Sequence, residues 1–222
     1  MFDRRTFVAS LVTAGTAAAA LGADLAPATA AAPPLAAGAP PWDLSWLDGL
    51  KGKHKQVFDC STRDLATKVT PLAVVRNFLE AHKAVFGLEY PAIDTLVGVA
   101  GDAFPLNAGD DLWARYALGE RWKIKDPQSG AWATRNVFLD APAGSPNAGV
   151  TVRALQARGT IFWQCNNALG FVARELATAV GRPPDDVRAE LLRGLNPGVR
   201  LVPAHTMMVG LCQERGCTYE KL

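Results

Sequence analysis

Short, continuous apolar runs alternate along the chain with longer segments whose apolar residues recur at helical spacing. The apolar runs predict strands, because a strand buried on both faces of a parallel sheet is apolar throughout. We expect five strands, at residues 56–60, 93–100, 160–164, 199–202 and 217–220. The last of these follows directly after Gly216.

Apolar residues at intervals of three and four predict helices between these strands. Pro71 opens one helix and Gly87 ends it, since proline is tolerated in a first turn and glycine favours a helix end. Thr206 is the expected N-cap of a helix that runs to about residue 215. The other predicted helices cover residues 110–118, 150–157 and 169–180, and one more begins at residue 183.

Strands that alternate with helices predict an α/β fold with a mainly parallel sheet and helices on both of its faces. Residues 119–149 interrupt this pattern, because turn residues dominate there and no period holds. A loop of this length is typical of a lid, a binding segment or an interface arm. It carries Trp122, Trp132 and Phe138, which a merely solvated loop would not need.

The first forty residues have a separate character, with fifteen alanines and the pair Arg4-Arg5 ahead of a weakly apolar run. Residues 28–30 form a small-residue cleavage site, so residues 1–30 are typical of a Tat export signal. The run falls short of the ~20 strongly apolar residues of a spanning helix, and we expect no stable membrane insertion after cleavage. Residues 31–49 read as a proline- and alanine-rich linker, and residues 50–222 as the folded domain.

Composition narrows the function classes. A net charge of +2 is too balanced for a nucleic-acid surface. Neither a Gly-x-Gly-x-x-Gly motif nor a P-loop is present, so no nucleotide cofactor is expected. Three histidines and no nucleophile elbow leave little basis for a hydrolase triad. Export would place the four cysteines in the periplasm, where thiols meet disulfide chemistry.

Cys165 is the leading candidate for chemistry, because it follows a buried strand and opens a helix. The free N–H groups and the dipole of a helix N-terminus favour a thiolate at such a position. Asn166 and Asn167 would add donors around the sulfur. The alternative is an inert, buried cysteine that packs as a small hydrophobic residue.

Cys60 and His205 are expected at the same edge of the sheet, because Cys60 ends the first predicted strand and His205 follows the fourth. If strands one, three and four are neighbours, these two residues converge on Cys165. Such a set, with Met207 or Met208 nearby, would suit copper or zinc. The spacing is no local metal motif, and unrelated loop residues are the alternative. Cys212 and Cys217 are close enough in the sequence for a disulfide. The alternative is that Cys212 packs in the core.

Residues 155–169 read Leu-Gln-Ala-Arg-Gly-Thr-Ile-Phe-Trp-Gln-Cys-Asn-Asn-Ala-Leu and resemble the passage that carries the family cysteine of DsrE/DsrF-like proteins. Residues 202–219 and 53–59 resemble the closing helix and strand and the first strand of that family. With the signal and the segment 126–136, the chain is similar to exported, Tat-signal-bearing members. The resemblance implies a flavodoxin-like three-layer sandwich that assembles into trimers or hexamers.

The resemblance also implies sulfur relay, in which the cysteine matching Cys165 holds a persulfide and passes sulfur to a partner thiol. Cys60 would resolve a mixed intermediate, and no cofactor is expected. The alternative is a non-catalytic periplasmic oligomer that binds a ligand or metal and whose cysteine is inert.

Overall fold

The structure is a computed structural model that describes residues 42–61, 65 and 71–222. Five strands form one sheet in the order β4-β3-β2-β1-β5, and every neighbouring pair is parallel. Their bounds are β1 His54–Cys60, β2 Ile93–Val99, β3 Ile161–Cys165, β4 Arg200–Val202 and β5 Thr218–Lys221. The expected α/β, flavodoxin-like sandwich is confirmed, and its sheet is parallel throughout.

Seven α-helices connect or follow these strands in the described residues. They are α1 Ala73–Phe86, α2 Asp110–Arg115, α3 Leu118–Arg121, α4 Val152–Gln156, α5 Asn166–Val180, α6 Pro184–Arg193 and α7 His205–Glu214. The last helix begins at His205 rather than after Thr206, with Ala204 as its N-cap. Gly87 and Gly181 end α1 and α5 in the left-handed conformation that glycine adopts without strain.

The two faces of the sheet are covered unequally. The connections between β1, β2, β3 and β4 pack on one face, where α1, α5 and α6 contribute to a large apolar core. The opposite face packs mainly against α7 and the 3-10 helix Ser45–Gly49. This division follows from the strand order, because right-handed crossovers that advance in one direction place their helices on one face. Only the connection from β4 to β5, which contains α7, crosses the other face of the sheet.

Residues 42–49 belong to the fold, although the sequence pattern places them in the linker. Leu47 of the 3-10 helix is 1% exposed and packs with Trp163 and Met208. Trp46 lies 6.5 Å from Trp163 between ring centroids. The domain therefore includes Trp42 onward, because these apolar side chains cover a sheet face that α7 alone leaves open. The predicted signal peptide, at residues 1–30, lies outside the described residues.

The segment 119–149 is irregular, as expected, but it packs on the domain. Ile124, Phe138 and Leu139 are buried in the larger core. The indole N–H of Trp122 donates to the backbone oxygen of Asp102 at 2.7 Å, whereas Trp132 remains 44% exposed. Two of the three aromatic side chains of this insert, Trp122 and Phe138, are therefore packed within the chain itself.

From Trp42 onward, in the part of the chain that the structure describes, no helix has the length and apolar character to cross a bilayer.

Candidate functional site at the carboxyl edge of the sheet

A row of strand residues forms the floor of the candidate site. Asp59 of β1 pairs with Gly98 of β2, and Gly98 pairs with Trp163 of β3. Lys221 of β5 continues the row beyond Asp59. Side chains in register on neighbouring strands point to the same face, so this row faces α7.

His205, the first residue of α7, lies across this row above Gly98. A Cβ atom at Gly98 would lie only 2.7 Å from Cε1 of His205 and 2.4 Å from Cζ2 of Trp163. Ordinary contacts between carbon atoms are about 3.5–4.0 Å. Glycine is therefore needed at this strand position, because any side chain would displace the imidazole or the indole.

Both ring nitrogens of His205 have partners. The indole Nε1 of Trp163 donates to Nδ1 at 3.3 Å, and Nε2 lies 2.9 Å from Oδ1 of Asp59. Indole can only donate, so Nδ1 is the acceptor and Nε2 carries the proton that it donates to Asp59. Burial lowers the pKa of His205, and the Asp59 carboxylate offsets this effect only in part. The imidazole is accordingly neutral and held as one tautomer.

Asp59 is the charged centre of this network. Tyr219 donates to its Oδ2 at 2.8 Å, and Lys221 places Nζ 3.1 Å from the same oxygen. Burial by itself would raise the pKa of Asp59, but hydrogen bonds from Tyr219, Lys221 and Ser61 outweigh burial and hold that pKa below its usual value. A carboxylate therefore persists next to a neutral histidine.

Cys165 lies beside this network as the N-cap of α5. Its Sγ accepts the N–H of Ala168 in the first turn of α5, at 3.4 Å. It also accepts the N–H of His205, the first residue of α7, at 3.3 Å. Two helix N-termini thus direct N–H groups at one sulfur, and both favour negative charge there. Cys165 is 5% exposed.

The predicted convergence of Cys60 is wrong, for two structural reasons. β2 lies between β1 and β3, so the ends of these strands are two strand spacings, roughly 10 Å, apart. Cys60 also follows Asp59 in β1 and therefore points to the opposite face, where it is buried in the larger core. His205 does meet Cys165, but through its backbone N–H.

Asn166 and Asn167 do not surround the sulfur as predicted. Oδ1 of Asn166 accepts a hydrogen bond from Arg188 of α6, and Asn167 is exposed. Both line a cleft between α5 and α6. They face away because the side chain of an N-cap residue turns back to its own helix, whereas the next residues point outward.

The proposed soft-metal set of Cys60, Cys165 and His205 is not assembled. Across residues 42–61, 65 and 71–222, no three His, Cys, Asp or Glu side chains gather as a metal site. Met208 is buried in the smaller core, and Met207 is 40% exposed.

Cys212 and Cys217 are both thiols, and both are buried. A hydrogen bond between them raises the pKa of Cys212, and burial adds to this effect. The same bond lowers the pKa of Cys217, which the charge of Lys55 also favours. Of the two alternatives, a disulfide with Cys217 or packing in the core, the structure has Cys212 packed in the smaller core.

Asp59, Gly98 and Trp163 are site residues that the sequence pattern did not single out. A signal for two of them was present, because Asp59 is an acid inside an apolar run and Gly98 interrupts another one. A glycine within a strand often marks the close approach of another group.

Neither a family model nor a curated protein matches the chain. Among solved structures, the chain is similar to a protein of unknown function, MTH1491 from Methanobacterium thermoautotrophicum. The two share 15% sequence identity, with a TM-score of 0.38, over 76% of this chain and 99% of that one.

Proposed function

We propose that Cys165 is a sulfur-carrying thiol, which takes up sulfane sulfur as a persulfide and passes it to an acceptor thiol. The observation that carries this proposal is the convergence of two helix starts on Sγ. A persulfide anion and a thiolate both gain from N–H donors and from the positive ends of helix dipoles. The resemblance of residues 155–169 to the DsrE/DsrF-like passage points to the same chemistry.

The uptake step needs no external oxidant. The Cys165 thiolate attacks the sulfane sulfur of a donor such as thiosulfate, and an Sγ–S bond forms as the S–S bond of the donor breaks. Sulfite leaves with the electron pair of the broken bond, and the negative charge on Cys165 moves to the new terminal sulfur. An acceptor thiolate then attacks that terminal sulfur, which regenerates the Cys165 thiolate.

His205 acts in this proposal as a positioning residue. Because Nδ1 accepts from Trp163 and Nε2 donates to Asp59, the imidazole is occupied and is not a base for the sulfur. These two contacts hold the first residue of α7 in place, and thereby keep its backbone N–H directed at Sγ.

The low exposure of Cys165 selects for small donors, since a single sulfane sulfur atom needs little room. We propose that the protein does this work after export by the Tat route, as a homo-oligomer of three or six subunits. The twin-arginine pair and the small-residue cleavage site support export. Light scattering of the purified mature chain measures the number of subunits.

The test is the intact mass of the full chain before and after polysulfide or thiosulfate. We expect the parent to gain the mass of sulfur, and Cys165→Ala to gain none. Cys60→Ala is the matched control, because it removes a buried thiol on the other face of the sheet and should still gain sulfur. An unchanged parent mass with both donors would refute the sulfur-carrier function.

Burial of Cys165 favours a second candidate, a non-catalytic ligand-binding protein in which this cysteine is inert. Alkylation of the native protein separates the two functions. A carrier should react at Cys165 much faster than at Cys60, whereas an inert Cys165 should react as slowly as that fully buried thiol.

A further inference from the structure

A cleft of about 530 Å³ lies between the N-terminal halves of α5 and α6, and Cys165 is the N-cap of α5. Two arginines line it, Arg174 from α5 and Arg188 from α6. Phe171 and Asp185 also face it. The cleft is therefore polar and carries guanidinium groups from two different helices.

The guanidinium groups of Arg174 and Arg188 both contact uncharged side chains. Arg174 lies over the ring of Phe171, with 4.5 Å between the guanidinium carbon and the ring centroid. Arg188 donates to the amide oxygen of Asn166. Since neither partner is charged, the two arginines keep their full charge toward the cleft.

Two other arginines near these helices are neutralised by a carboxylate. Arg115 and Arg182 both reach Glu190, at 3.0 and 2.7 Å. In the described part of the chain, neither Arg174 nor Arg188 forms an ion pair with a carboxylate. Asp185 is the acid of the cleft, so its three charged side chains leave a net charge of +1.

We propose that this cleft binds a tetrahedral oxyanion, either a sulfur oxyanion or a phosphate. Guanidinium groups bind such anions through pairs of N–H donors, and two of them from separate helices fit one small anion. The arginine side chains supply the attraction for the anion, and the N–H of Ala168 is bonded to Cys165. The site goes beyond the sulfur-carrier proposal and does not require a reactive cysteine.

Calorimetric titration of the full chain with thiosulfate, sulfate and phosphate, at constant ionic strength, tests the proposal. We expect saturable binding that weakens about tenfold in Arg174→Gln and in Arg188→Gln. Asp185→Asn should bind about threefold more tightly, because it removes the negative charge from the cleft. Arg193→Gln is the matched control, since it removes one charge from the other end of α6.

The order of affinities for the three anions identifies the ligand. Tighter binding of thiosulfate than of phosphate identifies a sulfur oxyanion as the ligand, and the reverse order identifies a phosphate. Absence of saturable binding for all three anions would overturn the proposal, as would an equal loss in Arg193→Gln. The same titration on Cys165→Ala should match the parent, so this result is independent of sulfur uptake.

Discussion

Substitution of Gly98 by alanine directly perturbs the contact on which the site is built. The added Cβ would lie 2.4 Å from Cζ2 of Trp163 and 2.7 Å from Cε1 of His205. Both rings must then move, the indole by about 1.1 Å and the imidazole by about 0.8 Å, to reach an ordinary contact. Trp163 is fully buried in the smaller core, 6.5 Å from Trp46 between ring centroids, so a shift of the indole would disturb that packing.

The expected cost follows from these two contacts. Overpacking of a core position costs about 1–3 kcal/mol. Displacement of His205 from Asp59 removes a hydrogen bond to a charged group, a loss of about 1.5–3 kcal/mol. Since strain is relieved in part when the bond is lost, we expect Gly98→Ala to lower the free energy of unfolding by about 2–5 kcal/mol.

Urea unfolding followed by tryptophan fluorescence measures this free energy. Gly210→Ala is the matched control, because Gly210 lies inside α7 with open space at its Cβ position. That variant should gain about 0.5–1 kcal/mol from better helix propensity. A free energy of unfolding for Gly98→Ala within about 0.5 kcal/mol of the parent would refute the close approach of His205 to Gly98.

Acid should destabilise the fold through His205, whose folded pKa lies below the unfolded value of 6.5. The unfolded chain takes up the proton first, so the unfolding free energy should fall as the pH drops through about 6.5. Urea titrations from about pH 8 to about pH 5 measure this fall, and the fall should be smaller in His205→Gln. An equal fall in both proteins would contradict the assignment of the acid effect to His205. Leu47→Ala should cost about 2–4 kcal/mol because Leu47 is 1% exposed, and a loss under about 0.5 kcal/mol would place residues 42–49 outside the core. Tyr219→Phe removes one hydrogen bond to Asp59 and should raise the pKa of that carboxyl, measurable by NMR titration; an unchanged pKa would show that Lys221 and Ser61 suffice.

The order of strands and helices was readable from the chain, because burial on two faces makes a strand continuously apolar and burial on one face gives a helix its stripe. The strand at residues 160–164 was expected one residue early, and the structure has it at Ile161–Cys165. The position of Cys165 between β3 and α5 was equally local. It needs only a strand, a helix and the residue that joins them.

The two groups that donate to the Cys165 sulfur differ in how far they lie from it along the chain. Ala168 is three residues away and could be inferred from helix capping, but the N–H of His205 comes from another helix, forty residues along the chain. The strand order β4-β3-β2-β1-β5 brings that helix over β2, and no sequence pattern states which strands are neighbours. The same order separates Cys60 from Cys165.

Local sequence pattern is thus sufficient for the class of fold and for the strand-to-helix junction that holds the candidate thiol. The row of Asp59, Gly98 and Trp163, and the position of His205 across it, arise from packing between distant segments. The two differ in the separation along the chain of the residues that interact. Periodicity and capping are set by residues within one or two turns, whereas strand register and the crossing of α7 depend on packing between segments far apart in the chain.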